Sequence, residues 1–491
     1  MAKRKRDAAE PTDKAPAGKA RKVVEASPSS QSTFLQIVTG SYERALHGII
    51  ATIPNSLLDP SAKALSVPAD DAPQDTAPQD TAPQDPASAI TFADSFLFNA
   101  HTSSIRCLAL SPPPPPTDPT QKVILATGAT DERINLYHLS ALAPPLPKPG
   151  KPLLPTLAAS AVSQNPRNRE LGALLHHSRA VTALFFPSRA KLLSAAEDNT
   201  IAVSRTRDWT VLSTIKAPIP KPVGRPSGDT AAPGEVPAGV NDFAVHPSLK
   251  VMVSVGKGER CMRLWNLVTG RKAGVLSFDR AMLAQVGEGR YGTGEGRKIR
   301  WDDEGAKFVV AFERGACVYD VDCKPHAIIH PNPQTKLHQI QFLNNGLPHT
   351  LAASTEDGRI LFYDINETTA PVDSTPPPAQ SENVKSKAKP DIPPCRLVAI
   401  LGGTDAGTSG RIKDFVFLSL PGGERCLVVT GSSDGAVRVW LLAIADVKGE
   451  IGGGGPVQVG RLLGTYETGR RITCLTGFVL LGREEGGAVE E

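Results

Sequence analysis

The chain has 491 residues, a formal net charge of +4 and 40% hydrophobic residues, enough for a large folded core. Its 43 Gly and 44 Pro favour turns and insertions over long helices, and no apolar stretch reaches the roughly 18 residues of a membrane helix, so no membrane contact is predicted. The seven cysteines are odd in number and form no C-x-x-C pair, which fits reduced thiols packed as small apolar side chains in an intracellular protein, with no metal site.

Residues 1–33 are polar, charged and rich in Ala and Pro, and predict a disordered basic tail. Residues 1–22 carry eight basic and three acidic side chains, a net +5, so the rest of the chain is close to neutral. Lys3, Arg4, Lys5 and Arg6 are separated by a twelve-residue spacer from Lys19, Arg21 and Lys22, the pattern of a bipartite nuclear localisation signal; a plain solvated arm is the alternative. No apolar run follows, so this is not a secretory signal.

From residue 34 to 481 one unit recurs: a short apolar strand, a tight turn, an alternating strand, then an aromatic residue. The copies are 37–50, 124–139, 192–206, 250–267, 309–321, 351–365 and 428–442. Several turns carry the D-G, D-N or D-E pairs of hairpins. Each unit is followed by another short strand, and all but the first are preceded by one. The spare strand at 470–480 is expected to pair with the N-terminal unit and close a ring without free edges. This is the WD40 pattern and predicts an all-β, seven-bladed β-propeller. Pro- and Gly-rich stretches at about 55–88, 111–121, 143–168, 217–238, 366–394 and 446–457 read as disordered insertions within that domain, and 482–491 as a disordered tail.

Blades of this kind often join a His, a Ser or Thr, an Asp and a Trp in one polar network. Blade two offers His101, Thr127 and Asp131, with Tyr137 in the Trp position. Blade three offers His177 (or His176), Ser194 and Asp198. Blade four keeps Ser254 and Trp265 but has Gly258 where Asp is expected, and blade seven keeps Thr430, Asp434 and Trp440 without a His. These residues read as structural rather than catalytic. Residues 287–292, GEGRYG, match G-x-G-x-x-G but precede a strand with no helix in reach, so they read as a loop. No catalytic motif or cofactor site is found, and the expectation is a non-enzyme.

Charge recurs at one position instead. The residues just before the innermost strands are Arg179, Arg297 with Lys298, Lys336, Arg411, and Arg470 with Arg471. The residues before the turn acids, on the same face, include Tyr42, Lys257 and Phe312, together with Glu197 and Glu356. A basic rim with two aromatics suits RNA phosphates with a stacked base, or an acidic peptide; scattered solvated charges are the alternative.

Three segments, 39–49, 99–109 and 254–278, resemble a nucleolar WD40 family. That family contains the fungal maintenance-of-killer ribosome-assembly factor and the animal protein named for binding p21-activated kinase. The resemblance implies a non-catalytic scaffold in maturation of large-subunit rRNA precursors within pre-60S particles of the nucleolus. Its partners there would be other assembly factors, large-subunit ribosomal proteins and pre-rRNA, with the chain monomeric inside a large complex. A signalling adaptor for a p21-activated-type kinase or Rho-type GTPase is the second implication.

Overall fold

A computed structural model describes residues 32–58, 90–114, 122–143, 165, 167–220, 238–289, 292–343, 347, 349–368, 392–408, 410–448 and 455–481. Both expected tails, with the Lys3–Lys22 basic clusters, lie outside these residues. Seven antiparallel sheets follow one another around a ring, and six of them run in chain order from the innermost strand outwards. Their innermost strands are Ile105–Leu110, Val181–Ser188, Val240–Val245, Lys298–Trp301, Leu337–Phe342 and Ile412–Ser419 in blades two to seven. Blade one joins the two ends of the domain: Ile472–Val479 is its innermost strand and pairs with Ser32–Ser41, Thr39 lying opposite Leu475. The predicted seven-bladed all-β ring and its closure are therefore present.

The turn chemistry explains the repeat. In six blades the turn between the second and third strands holds a residue at positive φ: Arg44, Glu132, Asn199, Gly258, Gly358 and Gly435. The turn acid beside it accepts hydrogen bonds from the following backbone, as Asp198 does from Thr200 N at 2.9 Å and Asp434 from Ala436 N at 3.0 Å. Two glycines serve close packing between blades. A Cβ on Gly40 would meet Cys474 Sγ and Ile105 Cγ2 at 2.7 Å, and one on Gly128 would meet Cys107 Sγ and Val181 Cγ1 at 2.7 Å.

The apolar core is divided rather than central. Seven clusters of buried side chains fill the seven seams between neighbouring blades, for example Leu125, Val38 and Ile105 between blades one and two. The axis remains open as a channel of about 1460 Å³.

Around that channel, side chains of the innermost strands link each blade to the next. Thr473 Oγ1 donates to Ile105 O at 2.6 Å, Cys107 Sγ approaches Val181 O at 4.0 Å, and Thr182 Oγ1 donates to Val240 O at 2.6 Å. Asn241 Nδ2 donates to Gly296 O at 2.9 Å, and Asp242 accepts from Ile299 N and Arg300. Arg300 reaches Gln339 at 3.5 Å, Gln339 donates to Asp414 at 3.1 Å, and Asp414 accepts from Leu475 N at 2.9 Å, back in blade one.

Some expected insertions contribute short elements. Asn55–Leu58 and Ile444–Lys448 are helical, and the strand Arg359–Thr368 runs past 366. Val457–Gln458 adds a parallel strand beside Cys395–Gly402 of blade six. The glycine motif at 287–292 does have a helix nearby, Arg280–Gln285, but it precedes the motif. A dinucleotide site needs the helix to follow, so the loop reading stands.

Asp414 is the acceptor for two seams at once. Asp414→Ala is expected to lower unfolding free energy by ~2–4 kcal/mol, because two buried donors lose their partner. Thr182→Val, which removes one link, is expected to cost about 1 kcal/mol. Urea unfolding followed by tryptophan fluorescence measures both; equal effects would contradict the ring of links.

Candidate functional site: the rim face and channel mouth

Strand direction gives the propeller two unlike faces. The start of every innermost strand and the turn between the second and third strands lie together on one face. Backbone hydrogen bonds tie them: Tyr42 N to Arg471 O, Thr130 N to Ser104 O, Glu197 N to Ala180 O, Lys257 N to Gly239 O, Glu356 N to Lys336 O, and Ser433 N to Arg411 O. The two predicted rim positions therefore meet in six blades, and a predicted cation stands at the first of them in blades one, six and seven and one residue before it in blade three.

Blade five departs from that register. There Arg297 N donates to Ala311 O, and Phe312 N donates to Gly315 O in a tighter turn. Phe312 is fully buried and packs edge-on against Phe278 at 5.0 Å, so it is not a rim aromatic. Glu313, half-buried, takes the rim position instead. Lys298 is also displaced from the rim: it is half-buried and lines the channel.

The remaining rim cations are largely paired with glutamates across blades. Lys257 and Arg106 share Glu197 at 3.7 and 3.2 Å, Arg297 and Lys336 share Glu313 at 3.4 and 2.8 Å, and Arg411 meets Glu356 at 3.1 Å. Arg179 is exposed. Arg470 is half-buried, its N–H donating to Thr468 Oγ1 at 3.3 Å. Arg471 is exposed, with its guanidinium 5.4 Å from the Tyr42 ring centre.

Three functional candidates escaped the sequence reading. Arg106, His338 and Lys413 line the channel mouth just inside the rim. Each lies two residues after a rim position, where the pairing register of the innermost strand shifts. Lys413 and His338 are 3.3 Å apart. Burial pushes the His338 imidazole down to about 4, helped by Lys413, Arg411 and Arg297 and opposed by Glu356. Burial, then Arg411, lowers the Lys413 ammonium, with Glu356 opposing and Arg471 and Lys336 adding to the repulsion. Towards the far face the channel becomes apolar, with Phe185, Leu249 and Phe417 in its wall.

The His–Asp–Thr and His–Asp–Ser networks expected in blades two and three are present, while blades four and seven keep the Trp link alone. His101 binds Asp131 at 3.1 Å and Thr127 at 2.8 Å; His177 binds Asp198 at 3.2 Å and Ser194 at 2.8 Å, and His176 also reaches Ser194 at 3.0 Å. Trp265 Nε1 donates to Ser254 at 2.8 Å, and Trp440 Nε1 to Thr430 at 3.4 Å. In blade four Gly258 N donates to Glu295 at 2.7 Å, so a carboxylate from the next connection serves that turn. In blade seven Asp434 is held by Ser432. All seven cysteines are free thiols. Among the described residues no group of three or more His, Cys, Asp or Glu side chains is placed to hold a metal ion.

No protein-family model matches the chain. The yeast Saccharomyces cerevisiae "Protein MAK11" is 26% identical over 460 residues, covering 90% of this chain and 82% of the relative. Two vertebrate relatives are each named "p21-activated protein kinase-interacting protein 1-like". The Danio rerio protein is 25% identical over 78% of this chain and 73% of its own length. The Gallus gallus protein is 24% identical over 79% and 74%. Similarity on this scale spans the propeller as a whole rather than a few blades.

The titrating groups set a pH prediction. His101 and His176 are lowered chiefly by burial, His176 to about 4 like His338. The unfolded chain, with His near about 6.5, then binds more protons than the folded one as pH falls from 6.5 towards 4, so stability is lost across that window. Hydrogen bonds hold Asp131, Asp357 and Asp434 low against their burial, and their contribution is lost below about pH 4. Asp414, raised by burial, works in the opposite sense. Urea midpoints at pH 7.5, 5.5 and 4.5 are expected to fall in that order, with a smaller drop in His338→Gln; a higher midpoint at pH 5.5 than at 7.5 contradicts the assignment.

Proposed function

We propose that this protein is a non-catalytic scaffold in maturation of large-subunit rRNA precursors. It acts in nucleolar pre-60S particles and binds assembly factors, large-subunit ribosomal proteins and pre-rRNA as one monomer within the complex. The carrying observation is the similarity to Protein MAK11 along 90% of the chain, taken with the ribosome-assembly role that the family resemblance implies. The paired basic clusters between Lys3 and Lys22 fit a nuclear address. The His–Asp pairs that could suggest catalysis are bound within blades by Thr127 and Ser194, as structural networks are. The names of the vertebrate relatives favour a second reading, an adaptor that regulates a p21-activated-type kinase or a Rho-type GTPase.

Sedimentation of a tagged copy through a sucrose gradient, with sequencing of the bound RNA, separates the readings. Migration with large particles carrying large-subunit rRNA precursors, weakening as salt rises, is expected. Migration as a light species without such RNA overturns the scaffold reading in favour of the adaptor.

Reversal of Lys336 and Arg411 together, as Lys336→Glu and Arg411→Glu, is expected to release the protein from its particle. Exposed ion pairs contribute only about 0–1 kcal/mol each, so the thermal midpoint should move by a few degrees at most. Unchanged recovery of partners by the folded variant would remove the rim from the binding surface.

A further inference from the structure

We propose that the rim arc crossing blades six, seven and one is a seat for single-stranded RNA, in which Tyr42 stacks a base and Arg471, Arg411 and Lys413 hold the adjoining phosphates. The scaffold reading supplies the setting for such an RNA; the seat itself rests on the following geometry.

Tyr42 and Phe185 are the only exposed Phe, Tyr or Trp side chains among the described residues. Phe185 sits towards the far end of its innermost strand, away from the rim. Tyr42 is 59% exposed at the rim. Its backbone N–H donates to Arg471 O at 2.9 Å, and the Arg471 guanidinium lies 5.4 Å from the ring centre. An exposed ring beside a cation is the arrangement on which an unstacked base rests, and a duplex offers no such base.

Positive charge is crowded next to this ring. Lys413 feels Arg411, Arg471 and Lys336 as like charges, and Glu356 is the one carboxylate opposing them at its ammonium. Glu356 is already occupied by Arg411 at 3.1 Å, and Lys336 by Glu313 at 2.8 Å. Glu43, in the blade-one turn beside Tyr42, accepts from the Arg471 backbone N–H at 3.2 Å. His338, 3.3 Å from Lys413, is held neutral at pH 7 and adds no compensating negative charge. A phosphate oxyanion would relieve this repulsion where the existing carboxylates do not. An acidic peptide could meet the cations but brings no flat ring for Tyr42, so the arc as a whole fits RNA better.

The test uses the full chain with Lys3, Arg4, Lys5 and Arg6 changed to Gln, so that the basic tail does not mask the rim. Binding of a fluorescein-labelled single-stranded RNA of about twelve nucleotides is followed by anisotropy over a salt series. Tyr42→Ala is expected to weaken binding about tenfold with little change in salt dependence, and Tyr42→Phe to retain it. Arg411→Gln with Lys413→Gln should weaken binding and flatten the salt dependence. Arg179→Gln, on blade three and outside the arc, should leave binding unchanged. Circular dichroism confirms that each variant folds.

No binding by the parent protein, or equal binding by Tyr42→Ala, overturns the seat. Preference of the arc for a poly-glutamate peptide over the RNA overturns it in favour of a protein partner. Cosedimentation with pre-rRNA particles combined with failure to bind the oligonucleotide would defeat the seat while leaving the scaffold reading in place.

Discussion

Everything on the rim face depends on the circle of side-chain links between innermost strands. A propeller blade cannot bury both of its faces alone; each seam is half of two neighbouring cores, and a single open seam exposes apolar surface on both sides. The links at Thr473, Thr182, Asn241, Asp242, Gln339 and Asp414 fix how far each blade is rotated from the next. The seam between blades two and three has the weakest of them, a thiol 4.0 Å from a carbonyl, and there Gly128 allows the two blades to pack unusually close. Because the last strand enters beside the first, the circle closes only when the whole domain has been made.

That rigidity is what gives the rim its electrostatic character. Glutamates on one blade reach cations on the next, so much of the basic charge is neutralised between blades. Charge left uncompensated is concentrated near Lys413 and Arg471, beside the exposed Tyr42. The proposed recognition surface thus arises from an imbalance within a mostly paired belt, rather than from a uniformly positive ring. Similarity along most of the chain to Protein MAK11 and a defined cationic arc are compatible with a protein that works by holding partners together.

The repeat was legible because each blade announces itself locally. Alternation fixes the strands, and Asp131, Asp198, Asp357 and Asp434 mark turns whose next residue adopts positive φ. Ring closure followed from counting strands. Phe312 was misplaced because blade five departs from the usual register, so the rim position moves to Glu313. Lys298 was misplaced because it is already the first residue of its innermost strand and lines the channel. Arg106 and Lys413 could have been found by stepping two residues in from the rim. The pairing of Glu197, Glu313 and Glu356 with cations of other blades could not, since it depends on blade rotation and not on sequence spacing.

The two faces also differ in what the chain does at its connections. The segments 59–89, 144–164 and 369–391 each join the third strand of a blade to its fourth, and 115–121 joins a first strand to a second. All four are anchored on the face away from the rim, while the rim's own turns between second and third strands stay short. Of the long connections, 221–237 is the exception: it joins the fourth strand of blade three to the first of blade four and so is anchored on the rim face. A reporter or affinity handle spliced between 369 and 391 would enter and leave the propeller at strand ends on the face away from the rim.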